Sequence, residues 1–72
     1  MNTHIQRAIS VLGTQYLLAD AIGVSQAHVN KMLHGLARVS YENAVRIETA
    51  TGGVVKAAEL RSDVPDLLRG TG

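Results

Sequence analysis

Glycines divide this chain into short segments, and this spacing limits its fold more than any other feature. Within residues 1–65 they occur at Gly13, Gly23, Gly35 and the pair Gly52-Gly53. Between them, apolar residues recur at the three- and four-residue spacing of a helix that buries one face, as in Ile5, Ala8, Ile9 and Leu12. Glycine commonly ends helices because it adopts the left-handed backbone conformation without steric cost. The chain is therefore expected to form several short helices.

Hydroxyl side chains stand where these helices would begin. Thr3 and Gln6 have capping-box spacing for a first helix that Gly13 closes. Thr14 caps a second helix, whose apolar residues Leu17, Leu18, Ala19, Ala21 and Ile22 are expected to be buried. Ser25 opens a third helix through His34, and Ser40 a fourth from about Tyr41 to Thr51. A brief fifth helix is expected within residues 54–64, so the predicted fold is an all-α bundle of four to five helices.

The size of the chain excludes several classes of protein. With 72 residues and no cysteine, it is too small for a deep active site and has no thiolate for zinc or catalysis. Its three histidines lack metal-ligand spacing, so neither a metal site nor an enzyme is predicted. No apolar run suggests a membrane span or secretion signal, so we expect a cytoplasmic protein with no membrane partner. The prediction is one domain over residues 1–65 and a frayed tail over 66–72.

Charge is unevenly distributed along a chain whose formal net charge is only +1. Residues 21–41 contain no carboxylate but do contain Lys31 and Arg38, with His28 and His34. This distribution favours a surface that meets an anion, although an ordinary solvated face would also fit it. Any nucleic-acid function must therefore depend on where these residues lie.

The second and third helices have the spacing of a helix-turn-helix, in which a glycine turn fixes the angle between two short helices. Counting from Gln15, small Ala19 is fifth and Gly23 is ninth, at the turn. The outward face from Gln26 to His34 could then enter a DNA major groove. Gln suits adenine and Lys suits guanine, so Gln26 and Lys31 are predicted to read bases. Gln15 and Arg38 are predicted to contact phosphates.

The run from Gln15 to His34, QYLLADAIGVSQAHVNKMLH, resembles the helix-turn-helix of the lambdoid phage Cro repressors. This resemblance implies a lambda-repressor-like DNA-binding fold. It implies base contacts by Gln26 and Lys31 and backbone contacts by Gln15, Asn30 and His34. Ala27 occupies a base-contacting position where the family has Ser, and His28 also departs from the family. Ser25 and His28 complete the predicted set of backbone contacts.

The later segments RIETATGG, residues 46–53, and Glu59 to Asp63 resemble the YdaS/Cro-like group of phage and prophage regulators, which remain helical after the motif. Together the two resemblances cover roughly residues 4–65. They imply a sequence-specific repressor that binds a double-stranded, pseudo-palindromic operator without cofactor or small-molecule ligand. The alternative is an antitoxin-like protein-interaction module that retains a helix-turn-helix.

Self-association is also expected, because one recognition helix covers about half of a normal operator. The predicted interface of this homodimer is the loop after Gly35, with Val39 and Tyr41, together with either the fourth helix or the segment of Val54 and Val55. The sequence does not choose among the segments that carry these residues, nor does it identify the operator.

Overall fold

The computed structural model describes residues 1–61, which form five α-helices and no strand. They are α1 (Thr3–Leu12), α2 (Gln15–Ile22), α3 (Gln26–Leu33), α4 (Tyr41–Ala50) and α5 (Ala57–Leu60). The all-α prediction is confirmed, including the brief fifth helix. The expected domain end at residue 65 and the frayed tail at 66–72 lie outside the described residues.

Side chains that accept backbone hydrogen bonds start the first four helices. Thr14 Oγ1 accepts from Leu17 N, Ser25 Oγ from His28 N and Ser40 Oγ from Asn43 N, each at 3.1 Å. These three predicted caps are confirmed. The predicted capping role of Thr3 is wrong, because Thr3 is already helical and the cap is Asn2. The Asn2 carboxamide oxygen accepts from two amides, His4 N at 3.0 Å and Ile5 N at 3.1 Å.

Helix α2 is the central element, since it packs against α1, α3 and α4. Its inward residues Leu18, Ala19 and Ile22 are buried, as predicted. The expected burial of Leu17 and Ala21 is wrong, because the three neighbouring helices cover one side of α2 and leave these residues exposed. The fully buried large side chains of the core come from all of the first four helices and the segment before α5: Ile5, Leu18, Ile22, Val29, Met32, Ile47 and Val55.

Two residues of the predicted dimer interface belong to this core. Val39 is 7% exposed and Val55 is 0% exposed, so neither is available to a partner and that part of the prediction is corrected. The backbone N–H of Val55 donates to Thr51 Oγ1 at 3.2 Å, which attaches this segment to the end of α4, where Thr51 is itself buried. Tyr41 and Val54 remain substantially exposed.

Helix α5 is a single turn, too short to be stable alone, and polar contacts attach it to the bundle. Its first amide, Ala57 N, donates to Glu48 Oε1 of α4 at 2.7 Å. On the other side, Glu59 Oε2 lies 3.7 Å from Arg7 Nη1 and 4.0 Å from His4 Nδ1 of α1. Glu59 therefore links the last described helix to the first.

The ionisation of Glu59 should make this attachment sensitive to acid. The Lys56 N–H that donates to Glu59 holds the pKa of this carboxyl below its ordinary value of 4.5, and the charges of His4 and Arg7 act in the same direction. A carboxyl whose pKa is lowered by folding stabilises the fold above its unfolded pKa, and this contribution is lost as the pH falls through the folded pKa. We expect Glu59→Gln to be destabilising at neutral pH and nearly neutral in strong acid. Urea unfolding of the wild type and of Glu59→Gln, from neutral pH to strong acid, measures the difference in their free energies of unfolding. A difference that does not vary with pH would mean that the ionised Glu59 does not stabilise the fold.

Candidate nucleic-acid interface

A glycine turn fixes the angle between α2 and α3. Gly23 has φ 75°, in the left-handed region that a Cβ atom penalises, and this is the conformation expected at the corner of a helix-turn-helix. Just after it, Val24 N donates to Ala19 O at 3.0 Å, which closes the end of α2. The inward residues of α3, Val29, Met32 and Leu33, are buried as predicted.

The far end of α3 is held equally firmly. Gly35, at φ 75°, donates to Met32 O at 3.2 Å, and Leu36 N donates to Lys31 O at 2.8 Å. This pair of hydrogen bonds is the Schellman ending, which satisfies the last carbonyls of a helix. In addition, Asn2 N donates to Leu33 O at 2.7 Å, so the start of α1 is attached to the end of α3. Both ends of α3 are therefore anchored to other parts of the fold.

The outer face of α3 carries the residues that the sequence predicted to meet DNA. Ala27, Lys31 and His34 are exposed, and Gln26, His28 and Asn30 are partly exposed. Arg38 is exposed in the loop that follows α3. No carboxylate occurs in residues 21–41, so this face presents amides, imidazoles and two permanent cations. Ser25 stands at its edge, with its hydroxyl oxygen engaged by His28 N.

A cluster of three amide side chains joins α2 to this face. Gln15 Oε1 accepts a hydrogen bond from Gln26 Nε2 at 2.5 Å and a longer one from Asn30 Nδ2 at 3.5 Å. Gln15 therefore restricts the rotamers of Gln26 and Asn30, while its own amide nitrogen has no hydrogen-bond partner among residues 1–61. Sequence reasoning assigned Gln15 to phosphate and missed this cluster. The available signal was that the helix-turn-helix brings the start of α2 beside the start of α3.

The histidines and carboxylates of the described residues are spread over separate parts of the fold. Within the described part of the chain, three or more His, Asp or Glu side chains do not converge on a common point. His4 lies against Glu59 between α1 and α5, whereas His28 belongs to α3 and His34 is the residue that caps its end. A membrane span is not found either, as each helix of residues 1–61 is too short to cross a bilayer.

Comparison with known proteins relates the chain to a family and to a curated protein. A family model described as "Bacterial toxin YdaS" matches residues 5–66. A protein of Escherichia coli (strain K12), described as "Putative transcriptional regulator YdaS", is 36% identical over 63 residues, which cover 88% of this chain and 64% of that protein. The chain thus spans less than two thirds of the length of this relative. No solved structure matches the chain.

Proposed function

The chain belongs to the YdaS family, and from this premise we propose that it is a sequence-specific regulator of transcription that binds double-stranded DNA. In this proposal it acts as a Cro-like repressor of a phage or prophage, with α3 lying in the major groove of its operator. Occupation of the operator by the protein blocks access of RNA polymerase. The description of the Escherichia coli relative as a transcriptional regulator supports the regulatory part of the proposal.

The observation that carries the proposal is the rigid polar face of α3. Both ends of this eight-residue helix are anchored, and its inner face is buried. An α-helix with its side chains is about 10–12 Å across, which fits a major groove about 12 Å wide. Because the face contains no carboxylate, it can approach the negative charge of DNA without repulsion.

Each exposed group has a role in this arrangement. Gln26 pairs with adenine, Lys31 donates to guanine, and the Ala27 methyl group meets a thymine methyl group. The DNA backbone is contacted by Gln15, Ser25, His28, Asn30, His34 and Arg38, which surround the three base-reading residues. The protein binds as a homodimer, since two copies of α3 would read half-sites about 10 base pairs apart.

The family description names a toxin, and we propose that growth inhibition by this chain acts through the same face. Binding to host promoters would stop growth without catalysis. If so, Lys31→Ala should relieve the growth arrest caused by induced expression, whereas Gln6→Ala, which removes an exposed side chain of α1, should not. Equal arrest by both variants would assign the toxicity to another part of the chain.

The salt dependence of binding tests the proposal. Affinity for a random duplex should fall with salt, with a log–log slope of about 0.9 for each phosphate neutralised and a total magnitude of several. Fluorescence anisotropy with a labelled duplex measures this slope. A slope near zero would reject the proposal and favour the antitoxin-like alternative, in which the chain masks another protein.

Gln15→Ala separates the positioning of Gln26 from the stability of the fold. The substitution removes the acceptor that holds Gln26 and Asn30, so operator affinity should fall about five- to tenfold through lost preorganisation and a lost phosphate contact. The free energy of unfolding should change by no more than the net value of a hydrogen bond, about 0.5–1.5 kcal/mol.

The matched control is Gln6→Ala, which removes an exposed glutamine from α1 and should leave operator affinity unchanged. A double-mutant cycle between Gln15→Ala and Gln26→Ala should give a coupling of about 0.5 kcal/mol or more. Additive effects on affinity would mean that the cluster does not position Gln26 for binding.

A further inference from the structure

We propose that a groove between α2 and α4 docks a second copy of this chain through a two-fold interface. The groove has a volume of about 340 Å³ and is lined by residues of α1, α2 and α4: Leu12, Ala21, Val45, Arg46, Thr49 and Ala50. The inference specifies the interface of the homodimer in the proposed function, and so rests on that part of it.

The groove is the centre of a largely apolar surface. Leu12 and Val45 are half-buried against the core and form its floor. Leu17, 51% exposed, lies one turn before Ala21 on the same face of α2. Tyr41, 43% exposed, lies one turn before Val45 on α4. Four of the six residues that line the groove are apolar, and the two helices that border it carry the exposed Leu17 and Tyr41; apolar side chains grouped in this way favour an interface.

A copy bound in this groove leaves the DNA-facing side free. No residue of α3 lines the groove. Helix α3 packs against α1 and α2, whereas α4 packs against α2 and α5. Occupation of the groove is therefore compatible with the exposure of Gln26 and Lys31.

The charges at the groove fit a second copy of the same surface. Arg46 is the one charged residue among those that line it, and its Nη2 atom lies 3.9 Å from Glu42 Oε2, one turn earlier on α4. The Glu42 side chain is 80% exposed, so this contact is weak within one chain. When two α4 helices pair antiparallel about a two-fold axis that passes level with residue 44, Glu42 of each copy lies beside Arg46 of the other. Two identical surfaces therefore form two Glu42–Arg46 ion pairs across the axis, one on each side.

Sedimentation of the full chain without DNA tests the interface. The wild type should associate into dimers in the micromolar to millimolar range, and Ala21→Glu should raise the dissociation constant about tenfold or more by burying a charge in an apolar contact. Val11→Glu is the matched control, because Val11 is 44% exposed on α1 and does not line the groove. Circular dichroism checks that both variants remain helical. A wild type that stays monomeric, or equal loss of dimer in both variants, would overturn the proposal.

A charge exchange between two variants tests the ion pairs specifically. Glu42→Arg alone and Arg46→Glu alone should each weaken self-association, because like charges then meet across the axis. An equimolar mixture of the two variants should form a heterodimer, because the introduced arginine of one variant lies beside the introduced glutamate of the other. The second position of this heterodimer retains the native pair of Glu42 and Arg46. Failure of the mixture to associate better than either variant would overturn the antiparallel α4 pairing. Both experiments are done without DNA. A negative result in either would therefore reject this interface but not the proposal that α3 binds DNA, which the salt dependence of binding tests separately.

Discussion

Leu18→Ala should lower the free energy of unfolding by about 2–5 kcal/mol, the usual cost of truncating a buried leucine. Leu18 is 0% exposed on α2, the helix that packs against α1, α3 and α4 at once. A protein of this size has a total stability of about 4–11 kcal/mol. The substitution is therefore expected to remove a large part of the stability and, through loss of folded chain, to lower apparent DNA affinity as well.

The neighbouring leucine provides a matched control. Leu17 stands on the same helix but is 51% exposed, so Leu17→Ala should cost clearly less than Leu18→Ala, about 1 kcal/mol, at concentrations where the chain is monomeric. Urea unfolding followed by circular dichroism compares the two variants directly. Similar losses from Leu17→Ala and Leu18→Ala would contradict the described orientation of α2.

Lys31→Ala should weaken operator binding by about 1–3 kcal/mol and relax the preference at one base position. Lys31 is exposed in the last turn of α3, and the Schellman ending fixes the backbone on which it stands. Its effect should be specific, since the lost interaction is with one base pair rather than with the phosphates.

Arg38→Ala is the comparison variant, because it should remove a phosphate contact rather than a base contact. Arg38 follows α3 in the loop, so its removal should weaken binding to all sequences alike and reduce the magnitude of the salt slope by about one. Competition binding with the operator and its single-base variants measures both effects. If Lys31→Ala also weakens all sequences equally, Lys31 contacts the backbone and the base-reading assignment is wrong.

Most of the fold follows from local chemistry that the sequence displays. The caps at Thr14, Ser25 and Ser40 were predicted because each hydroxyl bonds an amide only three residues away. The cap of α1 was misassigned because Asn2 and Thr3 are adjacent and both are competent caps. Only the register of the helix decides between them, and local composition does not set that register.

Burial was harder to predict where it depends on distant contacts. Leu17 and Leu18 are identical neighbours, and their opposite exposure follows from where α1, α3 and α4 pack against α2. Likewise, Val39 and Val55 were predicted to lie in a dimer interface, but tertiary packing buries both in the core of one chain. The same limitation applies to the candidate site. Its residues could be identified from motif spacing, but the contact between Gln15 and Gln26 is a tertiary one.

The geometry connects stability and recognition through α2. Its inner face supplies Leu18 and Ile22 to the core, and its first residue, Gln15, holds the first residue of α3. A change in the packing of α2 would therefore be transmitted to Gln26 without any substitution in α3. Variants in α2 should accordingly be compared at equal fractions of folded protein.

Selection of bound duplexes from a random pool tests the central claim most directly, namely that the outer face of α3 reads DNA sequence. Wild-type protein should enrich a pseudo-palindromic site with half-sites about 10 base pairs apart. Gln26→Ala and Lys31→Ala should each lose the preference at different positions within the half-site. Recovery of unenriched DNA, or of one unchanged motif with wild type and both variants, would contradict the account.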